Sequence, residues 1–458
     1  ALYSIPDAHQ WARFCYYADR VRVLVHYDSP NTNVPFDDDK FPRPTLILPS
    51  VWFYLKQLSG DRALLPALRE LQWMTSPFDT ELFDLLCPSL QRICVRLNPM
   101  HPHTNAEWDA HLPLLIRNVA ALAPELRQFE VGAIPSNTLR AIVPELHKMR
   151  HLRHLAVDVK CSSGRDMDSQ ALSVAELDTL EDLQYFRLGL AIEDDPRAAP
   201  STITLRTLHS LAVVDSRGNQ EAYGLSNTPS LRSFDATIRS RNIDPNGYRD
   251  LLFAFTQQFP DIASLTLTLD EGGADLIRVI EPLHHLHALR TLSFIVGEAY
   301  VGVSSAEVRV LLERVPHLSS LTIDFSSTMT RISNSMPWTG LLLHLAQFGS
   351  ELTEVFLSNL KLSAYELDRA LAQTVLAQPN TQLVVLVIGR VTHGSPLDAQ
   401  SDLAKCAVLV LRLFPNLDPE RCRACPPKSY YWETAGAWNT ILTEVERLRS
   451  MTGTPMDV

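Results

Sequence analysis

One six-residue pattern, apolar-x-x-apolar-x-apolar, recurs along most of the chain, often just after a proline. It reads Leu68-Leu71-Trp73 behind Pro66, Leu90-Ile93-Val95 behind Pro88 and Leu126-Phe129-Val131 behind Pro124. The same spacing returns from Leu152, Leu183, Leu208, Leu231, Ile262, Leu289, Leu318 and Leu352, with weaker copies at Val21 and Leu383. The last two apolar positions of each copy alternate with polar ones, the period of a strand with one buried face. The first, three residues earlier, is placed to seal the turn into the strand. Between copies the period becomes helical: Trp108, Leu112, Leu115, Ile116, Val119 and Leu122 share one face. Capping boxes are expected at Ser173/Glu176, Ser304/Glu307 and Ser363/Glu366, each just before such a stretch.

The first positions from Leu68 to Leu352 step by 22 to 36 residues, with a mean of about 28, inside the leucine-rich-repeat range. A strand-loop-helix unit cannot bury its apolar face alone; stacked copies form one continuous core. The expected fold is therefore α/β, a leucine-rich-repeat solenoid with a parallel sheet on the concave face and helices on the convex face. A doubly wound α/β fold also alternates strands and helices. The constant form of the strand motif, with only loops and helices varying, favours the solenoid. Residues 1–60 read as an N-terminal cap and first irregular repeat, 61–395 as the solenoid and 396–458 as a C-terminal cap. The cap at the start holds an aromatic cluster, Trp11, Phe14, Tyr16 and Tyr17, and a polar insertion from Asp28 to Pro44 that reads as a solvated loop. At the other end Cys422 to Pro427 marks a turn before a helix bearing Trp438, Ile441, Leu442, Val445 and Leu448.

Composition narrows the functional classes. The chain has 458 residues, 46% hydrophobic and 20% charged, with a net charge of -11. Its mean hydropathy is -0.03 and its pI near 5.8. That balance excludes wholesale disorder and argues against a broad footprint for nucleic acid or anionic lipid. No apolar run is long enough to span a bilayer. Glycine is scarce at 17 and proline plentiful at 30, which suits proline-marked turns better than phosphate-cradling loops. Seven cysteines, at 15, 87, 94, 161, 406, 422 and 425, form no disulfide framework. With no Asn-x-Ser/Thr sequon and no charged-then-apolar leader, a cytoplasmic or nuclear location is expected.

Candidate chemistry is thin. Cys422-x-x-Cys425 has metal or redox spacing, but no second pair supplies the remaining zinc ligands, and Pro426 and Pro427 follow directly. Histidines cluster at His147, His151 and His154 and at His284, His285 and His287, and His101 and His103 flank Pro102. Surface or helix-end roles fit them better than metal ligation. No Walker loop, dinucleotide fingerprint or nucleophile elbow occurs. The expectation is a non-enzyme without metal or cofactor, a cryptic enzyme using Cys422 or Cys425 being the remote alternative. What remains is the concave face, where solenoids bind partners. Its expected residues are Arg, His, Tyr and carboxylates in the first half and mostly small hydroxyls in the second. Arg92, His154, Tyr185, Arg187 and Asp235 are the candidate partner-binding residues, since Tyr and Arg combine contact area with directional polar ends.

The segment Trp11-Ala-Arg-Phe14-Cys-Tyr-Tyr-Ala18-Asp-Arg-Val21-Arg22 resembles the opening of F-box/leucine-rich-repeat proteins, numerous in mushroom-forming fungi. Leu65-Pro66-Ala-Leu68-Arg69-Glu70-Leu71-Gln-Trp73 resembles their usual repeat, and Tyr431-Trp432-Glu433 with the Trp438 helix is similar to their C-terminal cap. The resemblance implies a substrate-recognition solenoid: an F-box docks on the Skp1 adaptor of a cullin-RING ubiquitin ligase, and the repeats present a protein substrate. No Leu-Pro-x-Glu-type helix precedes Trp11, so Skp1 and cullin are expected partners only if an F-box lies upstream of Ala1. The regular asparagine after the strand is missing too, Asn98 being the one good match. A leucine-rich-repeat scaffold outside ubiquitin ligation is the alternative.

Overall fold

In most described copies the first apolar residue of the motif closes a tight turn. The backbone N–H of Leu68 donates to the Leu65 carbonyl at 3.1 Å, that of Leu90 to Cys87 at 3.2 Å and that of Leu126 to Ala123 at 3.1 Å. The next two N–H groups then both donate to one carbonyl of the preceding copy. Gln91 and Arg92 donate to Arg69 at 2.8 and 2.9 Å, and Thr353 and Glu354 still donate to Ser319 at 2.8 and 3.1 Å. Each turn thus delivers the chain into a strand already in register with its neighbour.

The computed structural model describes residues 6–27, 49–75, 80–97, 104–135, 142, 144–160, 180, 182–190, 206–215, 228–238, 245–269, 281–296, 305–325, 340–374, 378–393, 399–424 and 436–452. Thirteen strands follow one another in chain order in a single sheet, β1 at one edge and β13 at the other. They are β1 (Val23–Tyr27), β2 (Glu70–Thr75), β3 (Arg92–Leu97), β4 (Gln128–Pro135), β5 (His154–Lys160), β6 (Tyr185–Leu190), β7 (Ser210–Asp215), β8 (Ser233–Ile238), β9 (Ser264–Leu269), β10 (Thr291–Val296), β11 (Ser320–Phe325), β12 (Glu354–Leu362) and β13 (Val385–His393). The described pairings are all parallel, as expected when each return passes through a turn or helix on one side. This is the leucine-rich-repeat type of α/β solenoid that the motif spacing predicts.

Two compact units divide the chain. The first comprises Ala1–Val213 with Glu221–Ser230. It holds α1 (Ala8–Ala18), α2 (Pro49–Ser59), a 3-10 turn at Thr80–Leu85 and α3 (Thr104–Leu122). Its core is the stacked motif: Leu68, Leu71, Trp73, Leu90, Ile93, Val95 and Phe129 are all 0% exposed. Burying each such side chain is worth roughly 1.5–3 kcal/mol. Leu112, Leu115, Ile116 and Val119 of α3 cover that core, but Leu122 is 44% exposed, a correction to the predicted face. The helix ends at Leu122, and Ala123, 1% exposed, is buried in its place before the turn into β4.

The second unit comprises Val214–Gln220 with Leu231–Val458. Its helices are α4 (Pro245–Gln258), α5 (Ser305–Arg314), α6 (Gly340–Phe348), α7 (Ala364–Gln373), α8 (Ala399–Leu413), α9 (Pro419–Ala424) and α10 (Gly436–Thr452), with a 3-10 turn at Glu281–His285. Ser363 is the residue before α7 with extended φ and ψ, but its side chain makes no cap bond, so the capping box predicted there does not form. Among the described residues a capping box forms between Asp7 and Gln10 at the start of α1. At Gly349 a Cβ would lie 2.6 Å from the Leu345 carbonyl oxygen, so only glycine fits where α6 turns towards β12.

The last strand is covered by its own cap. Asp418 N–H donates to the Val384 carbonyl at 2.8 Å, and Leu386 N–H donates to the Cys422 sulfur at 3.3 Å. The Arg449 guanidinium donates to the Pro415 and Leu417 carbonyls at 2.6 and 2.7 Å. Of the five apolar residues read on α10, Trp438, Ile441, Leu442 and Val445 are buried, while Leu448 is only half-buried. No described helix is long and apolar enough to cross a membrane. The 28–44 insertion, the Ser173/Glu176 box, Ser304, Asn98, His101, His103, Cys161, Cys425, residues 431–433 and the Trp108 side chain lie outside the described residues.

Candidate functional site

The polar face of the first unit is set by strand register. One row runs Glu70, Arg92, Gln128, His154, Tyr185 across β2 to β6. A second runs Gln72, Cys94, Glu130, Ala156, Arg187 along the same strands. Neighbouring strands lie about 4.8 Å apart, so long side chains reach across one strand to the next rung.

Glu130 is the junction of these rows. Arg92 bridges it to Glu70, with N···O distances of 3.1 Å to each carboxylate. Arg96 approaches it at 3.8 Å and the His154 imidazole at 3.8 Å. The Glu130 side chain is only 17% exposed, so the two guanidinium groups act on it with less screening than on an open surface. His154 stacks on Tyr185 with ring centroids 4.0 Å apart and planes 7° from parallel. Burial lowers the His154 pKa below its ordinary value; the nearby Arg92 and Arg187 push the same way and Glu130 opposes them. The ring is neutral at pH 7 and presents an aromatic plateau rather than a charge.

Of the five predicted residues, Arg92, His154, Tyr185 and Arg187 therefore come together. Asp235 does not join them: it lies on β8 in the second unit, in register with Thr266. There the polar face carries Ser264, Thr291 and Ser320 in one row and Thr266, Ser293 and Thr322 in the next. Ser293 and Thr322 are each 8% exposed.

The alternation of the motif puts Glu130 on this face but does not show that it joins Arg92, Arg96 and the His154 ring. Sequence reasoning also passed over Cys94, whose thiol pKa is raised by burial, with Glu130 adding to the rise and Arg96 opposing it. A thiol held protonated is a poor nucleophile. Burial, with Asp402 adding, pushes Cys406 up to about 12. Cys422, expected in a turn, sits in α9, where its sulfur accepts the Leu386 N–H, a structural task. The described cysteines, Cys15, Cys87, Cys94, Cys406 and Cys422, are all reduced. His147 and His151 lie in a turn rather than on one helix face. No cluster of His, Cys, Asp or Glu among the described residues is arranged to hold a metal ion. No protein-family model matches this chain, and no curated protein matches it.

Proposed function

We propose that this protein is a recognition module, binding a protein partner on the polar face of β2 to β6. On the strength of the resemblance in Trp11–Arg22 and Leu65–Trp73, its role is that of the substrate-recognition part of an F-box-type adaptor of a cullin-RING ubiquitin ligase. The observation that carries the binding reading is the linked network of Glu70, Arg92, Glu130, His154 and Tyr185 across the two rows. Side chains held by one another lose less freedom when a partner arrives, so more of the contact energy appears as affinity. A stacked His-Tyr plateau beside arginines has the composition of an interface hot spot. On this reading the chain confers specificity and ubiquitin transfer occurs on other subunits.

The test has two arms. Proteins captured by the wild-type chain and lost with Tyr185→Ala are identified, and their direct binding to the purified chain is then measured. Skp1 binding is measured in parallel for this chain and for the full-length gene product. A direct partner dependent on Tyr185, with Skp1 bound by the full-length product, is the expected result. A Tyr185-dependent partner without Skp1 binding leaves a recognition scaffold and removes the ligase role. If no partner responds to Tyr185→Ala or Arg187→Ala, the polar-face reading is wrong.

A further inference from the structure

The residue immediately before each strand forms a column of its own, linked by the backbone bonds that set the register. In the first unit it runs Arg69, Gln91, Arg127, Arg153, Gln184, His209. The N–H of each member after the first donates to the carbonyl of the one before it, at 2.8 to 2.9 Å. One rung is about 4.8 Å, so the column spans roughly 24 Å along the rim where the strands begin.

It contains three arginines and no carboxylate. Arg69, Arg127 and Arg153 are exposed, and none has a hydrogen-bonding or ion-pairing side-chain partner among the described residues. Glu125 and Asp182, in the turns leading into the column, are exposed and pair with none of the three. Three guanidinium groups without described partners within four consecutive rungs are unexpected on a chain with a net charge of -11. The other entry arginines are engaged. Arg22, before β1, donates to the Asp19 and Ala67 carbonyls at 3.0 and 3.4 Å. Arg232 lies 3.8 Å from Asp261, and Arg290 lies 3.1 Å from Glu351.

We propose that the Arg69-Arg127-Arg153 rim is a second docking surface, separate from the polar face, that takes an acidic peptide segment of a partner protein. Guanidinium groups bind carboxylates through paired N–H donors, and a row of them suits acidic side chains spaced along an extended segment. The column offers Gln91 among its arginines and Gln184 beyond them, its one aromatic ring is His209 two rungs past Arg153, and single-stranded nucleic acid is held largely by stacking along the strand. The acidic body of the molecule also repels a polyanion more than a short peptide. The rim does not depend on the Tyr185 reading.

The probe is a short fluorescein-labelled peptide of alternating glutamate and serine, followed by fluorescence polarisation at low and moderate salt. Arg69→Glu/Arg127→Glu/Arg153→Glu is compared with an equal charge change elsewhere, Arg314→Glu/Arg369→Glu/Arg412→Glu. An Arg→Gln triple keeps the test open if the charge reversal unfolds the chain. Loss of about tenfold or more in affinity for the rim variants, a shallower salt dependence and little change for the control support the proposal. Tyr185→Ala is expected to leave this affinity unchanged. Equal losses in rim and control variants would show a response to net charge alone and overturn it, as would equal binding of a lysine-serine peptide. Tighter binding of a labelled single-stranded oligonucleotide through the same arginines would overturn the acidic-peptide occupant. No measurable binding of the acidic probe would do so too.

Discussion

Arginine recurs at the strand-entry position in both units, and beyond Arg22 the two units use it differently. In the first, Arg69, Arg127 and Arg153 stand without partners among the described residues; in the second, Arg232 and Arg290 each face a carboxylate. The polar faces diverge in the same way. Long side chains in the first unit reach across strands, and that of Arg96 is 59% exposed. In the second, short hydroxyls sit recessed, Ser293 and Thr322 at 8%. The backbone is alike in both, down to the paired N–H donors onto one carbonyl at each strand entry. Repeat geometry therefore fixes where side chains go and leaves their chemistry open. On the first unit that chemistry makes reach and charge; on the second it makes a quiet surface.

The largest difference is expected in stability. Arg92→Met removes the cation held between Glu70 and Glu130 and leaves two half-buried carboxylates facing each other across β3. A loss of about 1–3 kcal/mol is expected, below the range for a fully buried pair because the Arg92 side chain is 38% exposed. Ser320→Ala, on the polar face of the second unit, should stay within about 0.5 kcal/mol. Urea unfolding of each variant checks the contrast, with the slope confirming that the same transition is followed. Similar losses for both would mean that the ion-paired rows do not distinguish the units.

Partner affinity comes next. Tyr185→Ala should cost about 1–2 kcal/mol or more, roughly 5- to 30-fold, while Thr291→Ala in the second unit should change nothing measurable. Calorimetry with the purified partner would separate these. A loss confined to Thr291→Ala would move the site to the other unit.

What the sequence could and could not show follows from the same contrast. The motif carries the fold because the core of a repeat array has one requirement, an apolar side chain at each inward position, and Leu71, Ile93 and Phe129 meet it visibly. The alternation also placed Arg92, His154, Tyr185 and Arg187 on one face. It could not show that Glu130 joins them, because that depends on reach across strands distant in sequence. The arginine column was hidden for a similar reason. Each member is an ordinary polar residue between two motif leucines, and only register reveals three on nearby rungs without counter-charges. Ser363 failed as a capping box because the motif specifies residue types, whereas the bond also needs a side-chain orientation that residue types do not fix. Leu122 failed because a helical period says nothing of where the helix stops.

A smaller effect concerns protons. The His154 pKa is lowered in the folded state, chiefly by burial. Between the ordinary histidine value of about 6.5 and that lowered value the unfolded chain binds more protons. The stability associated with His154 is thus complete above that ordinary value and is lost as pH falls towards the folded one. His154→Gln should flatten this part of the pH-stability curve. His285 and His344 are lowered by burial as well, so the difference between wild type and variant is the quantity to follow. An unchanged slope would mean that His154 titrates alike in both states.

The smallest expected effect tests whether pairing alone silences the second unit. Glu351 holds Arg290 at 3.1 Å and His317 at 2.9 Å, and hydrogen bonding from His317, more than the nearby arginine, lowers the Glu351 pKa. These groups are exposed and screened by salt, so Glu351→Gln should leave the unfolding midpoint where it is. It also leaves Arg290 with the His317 carbonyl as its remaining described contact. Placed on the background in which Arg69, Arg127 and Arg153 are reversed, the substitution should recover about two- to threefold in affinity for the glutamate-serine peptide at low salt. One exposed guanidinium is worth no more than that. If affinity does not move, the carboxylate partners are not what separates the two units, and the clustering of three arginines within four rungs must be the deciding property.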